Sequence, residues 1–175
     1  NIIGEKPDGE RWIGIAPFAA HNGKMYPKEK MEEVVKVLST EYSNLRIFFF
    51  GGGKEEKQIL NTWATKYKGC TCASEVLHGL NEELVLMSHL DTMISMDSAN
   101  MHLASLVGTR VVSIWGATHP YCGFLGWNQK EEDAVQNTEL ECRPCSVFGN
   151  KSCHRGDFKC MHSIAPSAII ERLKL

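Results

Sequence analysis

One stretch, Met93 to Gly116 (MISMDSANMHLASLVGTRVVSIWG), constrains the fold of this chain more than any other. An apolar, β-compatible run ends at Met96, short polar residues follow, and Gly108 precedes a second apolar run from Val111 to Trp115. Ser98 is a favourable N-cap residue, and glycine commonly follows the last turn of a helix. The order therefore predicts a strand, a helix and a second strand, which form a βαβ unit with parallel strands.

The helix of this unit is predicted to begin at Ser98 and to end at Gly108. Helical spacing at i, i+4, i+7 and i+8 predicts one apolar face made of Ala99, Leu103, Leu106 and Val107. The same spacing predicts a second, polar face made of Ser98, His102 and Ser105.

The rest of the chain repeats the alternation of strand and helix. Further strands are predicted at Trp12–Phe18, Leu45–Phe50, Cys70–Ala73 and Val135–Leu140. Further helices are predicted to begin near Pro27, Lys54, Asn81 and Pro166. Strands that alternate with helices indicate an α/β class: a Rossmann-like parallel sheet with helices on both faces.

Length and charge exclude several classes of protein. The 175 residues suit one domain, and a net charge of −2 gives no general attraction to nucleic acid or to an anionic membrane. No run approaches the roughly 18 apolar residues that span a bilayer. The opening NIIGEKPDGERW has neither an initiator Met nor the pattern of a signal peptide. We expect residues 1–10 to be the remnant of a linker within a longer protein.

Polar and glycine residues follow four of the predicted strands. Ligands of doubly wound sheets bind beyond the carboxyl ends of the strands, so these loops are predicted to converge on one rim. The loop residues are His21, Asn22, Gly23 and Lys24; Gly51, Gly52, Gly53, Lys54, Glu55 and Glu56; Asp97, Ser98, Asn100 and His102; and Gly116, Thr118 and His119.

Each candidate also has an ordinary structural explanation. An isolated Lys24 is typical of a solvated surface, and Asp97 is typical of a helix cap. Acidic residues such as Glu55 and Glu56 are favoured in a first helical turn by the helix dipole. The triple glycine is neither a P-loop nor a GxGxxG motif. The helix that starts at Ser98 nevertheless offers backbone N–H groups to an anion such as phosphate.

The order of three motifs along the chain is more specific than any single one. GKMYP, FFFGGGKEE and MDSANMHLASLVGTRVVSIWGATHP, together with the tail pattern CRPC…C…CM…IAP, resemble the ADP-heptose:lipopolysaccharide heptosyltransferase family, glycosyltransferase family nine. The resemblance covers nearly all of this chain but only the C-terminal half of the family's proteins. It implies that residues 1–175 are the donor-binding half of a GT-B fold.

The resemblance also implies a function. The domain would bind the nucleotide sugar for an inverting glycosyltransferase that transfers heptose, or a related sugar, from an ADP-sugar to a lipopolysaccharide core acceptor. The implied roles are donor phosphates for Lys24; sugar hydroxyls for Asp97; the pyrophosphate for Ser98, Ala99 and Asn100, with His102 nearby; and the ribose for Glu55 or Glu56. The implied location is the cytoplasm, with the inner-membrane face left open for the whole enzyme.

Two features depart from the family pattern. The usual turn is Asp-Thr-Gly, where this chain has Asp97-Ser98-Ala99. The catalytic base of the family lies in the N-terminal domain, which also meets the glycolipid acceptor, so the isolated chain is expected to transfer nothing. Two alternatives remain at this stage: a non-catalytic, zinc-stabilised interaction module, and a nucleotide-sugar epimerase domain.

Seven cysteines are many for this length, and four of them lie in a cysteine-rich loop predicted at residues 141–162. The spacing of Cys142, Cys145, Cys153 and Cys160 suits four thiolates on a structural zinc, but only the first pair forms a CxxC. The alternative is a loop packed by reduced cysteines. No cofactor is expected for the chemistry itself.

Overall fold

The computed structural model describes residues 3–175, so residues 1 and 2 of the predicted linker lie outside it. The six strands are β1 (Arg11–Ala16), β2 (Leu45–Phe49), β3 (Cys70–Cys72), β4 (Thr92–Met96), β5 (Val111–Trp115) and β6 (Ala134–Gln136). The seven α-helices are α1 (Lys28–Glu41), α2 (Lys54–Lys66), α3 (Ala73–Val76), α4 (Leu80–Ser88), α5 (Ala99–Leu106), α6 (Lys159–His162) and α7 (Pro166–Leu173). Short 3-10 turns form at Asn22–Lys24, Pro120–Cys122 and Glu131–Asp133.

All six strands form one parallel sheet in the order β3-β2-β1-β4-β5-β6. The order reverses between β1 and β4, which pair in register from Ile13 with Thr92 to Ala16 with Ser95. This reversal is the topological switch point, where the loops after the two strands diverge to opposite faces and leave a crevice. The predicted Rossmann-like class is confirmed.

Two separate apolar cores cover the two faces of the sheet. On one face α1, α2 and α7 pack through residues such as Leu38, Trp63 and Ile169. On the other face α4 and α5 pack through residues such as Met87 and Ala104. Because both faces are buried, the central strands read as continuous apolar runs.

The predicted apolar face of α5 is confirmed for Leu103 and Val107, which are half-buried against the core, and wrong for Ala99 and Leu106, which are exposed. The buried residues of this helix are Met101, Ala104 and Ser105, whereas Leu106 is 71% exposed. Small residues allow the helix to lie close to its neighbours, and the Ser105 hydroxyl is satisfied because it donates to the Met101 carbonyl oxygen at 2.6 Å. A serine that bonds within its own helix behaves as a small core residue, which periodicity of apolar residues does not reveal.

Several predicted boundaries also differ. The last strand ends at Gln136 rather than Leu140, because Arg143 turns back across this segment and its Nη1 donates to the Asn137 carbonyl oxygen at 2.5 Å. Pro27 is the N-cap of α1 rather than its first helical residue. The cysteine-rich loop contains a short helix, α6, and α3 was not predicted. Within residues 3–175, no helix is both long enough and apolar enough to cross a membrane.

Candidate functional site

The candidate site is centred on Asp97, at the carboxyl end of β4. Every residue of β4 is buried, and the chain leaves the strand directly into this carboxylate, which is only 2% exposed. A buried carboxylate must be paired or hydrogen-bonded. Its partners therefore indicate which ligand groups could bind at the switch point.

Lys24 is the first partner of Asp97. It ends the 3-10 turn after β1, and its Nζ lies 2.9 Å from Asp97 Oδ2. Its side chain is 16% exposed, with the ammonium 6.0 Å from the centre of the Phe124 ring. Its aliphatic stem packs on Gly149, where an added Cβ would lie 2.7 Å from Lys24 Cγ. The lysine is held in place and is not a solvated surface residue.

Thr118 is the second partner of Asp97. It follows β5, is fully buried, and its Oγ1 donates to Asp97 Oδ2 at 2.9 Å. Lys24, Asp97 and Thr118 are called the switch-point cluster below. Within residues 3–175 both side-chain partners of Asp97 contact Oδ2, so Oδ1 remains available as an acceptor for a ligand hydroxyl.

Two glycines allow the loops of the cluster to meet. The Ala117 amide donates to the Gly23 carbonyl oxygen at 2.8 Å. A Cβ on Gly23 would lie 2.8 Å from the Gly149 carbonyl oxygen, and one on Gly116 would lie 2.5 Å from the Gly23 carbonyl oxygen. Real Cβ atoms do not approach other atoms so closely, so any side chain at either position would force the loops apart.

The start of α5 lies directly beyond Asp97. Ser98 is the N-cap, as predicted, but its hydroxyl makes no capping hydrogen bond and lies 3.2 Å from Ser95 Oγ. Ala99 and His102 are exposed, and Asn100 is half-buried. The first helical turn therefore presents backbone N–H groups that the Ser98 side chain does not occupy, at the positive end of the helix dipole.

The loop after β2 is the one that does not join the cluster. Glu56 Oε2 accepts hydrogen bonds from the Gly52 and Gly53 amides at 2.9 and 3.4 Å, so this carboxylate closes its own strand–helix turn. Glu55 is exposed. Among the described residues, no hydrogen bond or ion pair links residues 51–56 to Lys24, Asp97 or Thr118. Three of the four predicted loops thus meet directly.

The cysteine-rich loop contains reduced thiols. All seven cysteines are free, and in the part of the chain from residue 3 onward no group of three or more His, Cys, Asp or Glu is arranged to hold a metal ion. Burial raises the pKa of Cys145 and of Cys160. Burial also acts to raise the pKa of Cys153, but the backbone N–H groups of residues 155–158 outweigh it and lower the pKa.

Sequence reasoning missed the supports of the cluster. Thr118 was grouped with the rim, but its bond to Asp97 was not foreseen, although a polar residue just after a buried strand that neighbours β4 was a usable signal. Gly149, whose amide donates to the Ser146 hydroxyl at 2.8 Å, lies in a segment that was interpreted only through its cysteines. No local pattern indicates that Gly149 packs on a lysine 125 positions earlier.

Comparison with known proteins agrees with this fold. Residues 5–154 match the model of glycosyltransferase family 9 (heptosyltransferase). A lipooligosaccharide heptosyltransferase 2 from Campylobacter jejuni subsp. jejuni serotype O:2 is 27% identical, over 95% of this chain and 51% of that protein. The chain therefore spans about half the length of the curated relatives that it matches.

Solved structures share the fold. The E. coli ADP-heptose lipopolysaccharide heptosyltransferase II superposes with a TM-score of 0.69 at 16% identity, over 96% of this chain and 46% of that chain. The dodecameric iron-containing heptosyltransferase TibC of enterotoxigenic E. coli, solved with ADP-D-β-D-heptose, superposes with a TM-score of 0.67 at 20% identity. That match covers 99% of this chain and 48% of TibC.

Proposed function

This chain belongs to glycosyltransferase family 9, and from that premise we propose that it is the donor-binding domain of an inverting heptosyltransferase. The donor is an ADP-sugar, heptose or a related sugar, and the acceptor is a lipopolysaccharide core. One observation carries the proposal: Lys24 and Asp97 form an ion pair of 2.9 Å at the switch point, beside the start of α5. Nucleotides of doubly wound sheets bind at this position.

The donor pyrophosphate is proposed to lie between Lys24 and the first turn of α5. The backbone N–H groups at Ser98, Ala99 and Asn100 would donate to its oxygens, and His102 lies one turn further along the helix. Lys24 uses one of its three donors on Asp97, which leaves the others for phosphate. The ammonium also separates the Asp97 carboxylate from the phosphates, so their repulsion is reduced.

Asp97 is proposed to hold the sugar. Its Oδ2 is engaged by Lys24 and Thr118, and its Oδ1 faces no partner among the residues that the structure describes. A fixed carboxylate that accepts hydroxyl hydrogen bonds sets the orientation of a sugar ring. For the ribose we propose Glu56 over Glu55, because its carboxylate is already fixed at the end of β2 by the Gly52 amide and keeps its other oxygen available.

The proposed chemistry divides between two domains. An acceptor hydroxyl, deprotonated by a base from the half of the protein outside this chain, attacks the anomeric carbon as the bond from that carbon to the phosphate oxygen breaks. The configuration at the anomeric carbon inverts, and the departing nucleoside diphosphate gains negative charge. Lys24 and the start of α5 stabilise that charge, and donors fixed in advance are typically worth a factor of about 10² to 10³ in rate.

A titration with ADP tests the proposal on this chain. We expect weak binding that shifts the amide resonances of Lys24 and of residues 97–102, and we expect no transfer activity without the other domain. Lys24→Met should weaken binding about tenfold, the effect of losing a charged hydrogen bond. Lys28→Met is the matched control, because this lysine is the first residue of α1 and its side chain is 62% exposed. Shifts confined to residues 142–160 would refute the proposal.

Product analysis of the whole enzyme separates the transferase from the epimerase alternative, because an epimerase changes its substrate without an acceptor. We propose that the whole enzyme works in the cytoplasm.

The structural-zinc hypothesis for the cysteine-rich loop is independent of the proposed transfer reaction. It takes no part in the proposed chemistry, and the four thiols are not arranged as a ligand set among the described residues. Plasma mass spectrometry of the purified chain tests it: less than about a tenth of an equivalent of zinc would eliminate the site. With zinc absent, the zinc-stabilised interaction module would also lose its basis.

A further inference from the structure

Arg143 of the cysteine-rich loop makes an unusual set of contacts. Its Nε donates to the Gly116 carbonyl oxygen, and its Nη1 donates to the Asn137 carbonyl oxygen at 2.5 Å. Its Nη2 donates to the carbonyl oxygens of Trp115 and Thr118, at 3.4 and 3.0 Å, and to Gln136 Oε1 at 3.0 Å. Among residues 3–175 no carboxylate pairs with this guanidinium. The guanidinium of Arg143 therefore binds mainly backbone carbonyl groups, and it is called the clamp below.

The clamp acts on one short segment, residues 115–118. Arg143 holds three of its four carbonyl groups, and the fourth, Ala117, accepts from the amides of Cys145 and Ser146 at 3.0 and 3.2 Å. Every carbonyl group of the segment is therefore held from the cysteine-rich loop.

The clamped segment ends at Thr118, whose hydroxyl holds Asp97 at 2.9 Å. The Thr118 carbonyl oxygen, bound by Arg143, lies on the same residue as the Oγ1 that orients the carboxylate. A shift of this backbone would move the hydroxyl away from Asp97 Oδ2. The guanidinium thus reaches the switch-point cluster through two hydrogen bonds in series.

We propose that Arg143 is a positioning residue of the donor site, acting on Asp97 through Thr118. The proposal rests on the proposed function, because it names the sugar-holding carboxylate as the group that is positioned. It also gives the cysteine-rich loop a role that needs no metal: the loop carries the clamp. A lysine does not replace the clamp, because a single ammonium does not span carbonyl groups on several sides as a planar fork does.

The test compares two ligands, ADP and ADP-heptose, on the chain and on its Arg143→Gln variant. Because Asp97 is assigned to the sugar, we expect affinity for ADP-heptose to fall about tenfold while affinity for ADP changes less than about threefold. A general structural role would weaken both ligands equally, and that result would overturn the proposal. Arg155→Gln is the matched control: this arginine lies in the same loop, pairs with Asp157 on the surface, and should change neither affinity.

A double-mutant cycle with Thr118→Val provides the second readout. If Arg143 acts through Thr118, the double substitution should lower the affinity for ADP-heptose no more than the stronger single substitution does. Additive losses of affinity would contradict the proposal. Arg143→Lys carries the test if the Gln variant does not fold. If the unmodified chain binds neither ligand, the proposed function fails. The contact from Arg143 to Asp97 is then tested without ligand: Arg143→Gln and Thr118→Val should shift the Asp97 amide resonance in the same way, and different shifts would contradict it.

Discussion

Replacing Lys24 by methionine tests the construction of the site without any ligand. The substitution keeps the apolar stem that packs on Gly149 but removes the ammonium 2.9 Å from Asp97 Oδ2. With an effective dielectric constant of about 20, Coulomb's law gives about 6 kcal/mol for unit charges at that distance. Breaking a buried pair by removing one partner typically costs about 3–5 kcal/mol.

The lower part of that range applies here. Lys24 is partly exposed, and Asp97 keeps the hydrogen bond from Thr118. We therefore expect Lys24→Met to lower the free energy of unfolding by about 3 kcal/mol. Adding Asp97→Asn should recover part of the loss, because the stranded buried charge is then removed.

Urea unfolding followed by tryptophan fluorescence measures both effects, and the buried Trp115 lies three residues from Thr118. Lys28→Met, on a side chain that is 62% exposed, should change stability by less than about 0.5 kcal/mol. If Lys24→Met loses less than about 1 kcal/mol, or if the double substitution is simply additive, then the ion pair is not the buried interaction described here.

Three further predictions concern single groups. Glu56→Gln should lower ADP affinity about tenfold while Glu55→Gln stays within about twofold by calorimetry, and the reverse ranking would move the ribose contact to Glu55. Iodoacetamide at pH 8, followed by peptide mass spectrometry, should modify Cys153, whose pKa is lowered, well before Cys70, whose pKa burial raises to about 12. Burial raises the pKa of Tyr26 above its usual value of 10, so just above pH 10 only the unfolded chain releases that proton. The free energy of unfolding should therefore fall by about 1.4 kcal/mol for each pH unit above 10, and in Tyr26→Phe the fall should be smaller.

The sequence was sufficient for the class of fold and for placing all three residues of the switch-point cluster on one rim, but not for the contacts between them. Continuous apolar strands and α1, whose four inward residues are all buried, follow from hydrophobic pattern. Lys24, Asp97 and Thr118 were found because each lies in the loop that follows such a strand. These signals are local, so a reading of neighbouring residues detects them.

The remaining features depend on contacts between distant parts of the chain. The inward face of α5 was assigned only in part, because Ser105 is buried by its neighbours and its polarity gives no sign of that burial. Arg143 was not predicted because four of its five partners are backbone carbonyl groups, which any sequence would supply. The choice between Glu55 and Glu56 for the ribose contact was left open, because two adjacent acidic residues in a first helical turn differ only in the direction of their side chains.

The clamp on residues 115–118 also has a consequence for the order in which the protein is made. The last strand of the sheet is complete at Gln136, but the groups that hold this segment arrive only with Arg143, Cys145 and Ser146. A nascent or truncated chain that stops between these points would contain all six strands and a free segment at the mouth of the crevice. The sheet is thus synthesised before the residues that hold the segment after β5, and the proposed donor site is complete only when the cysteine-rich loop has been made.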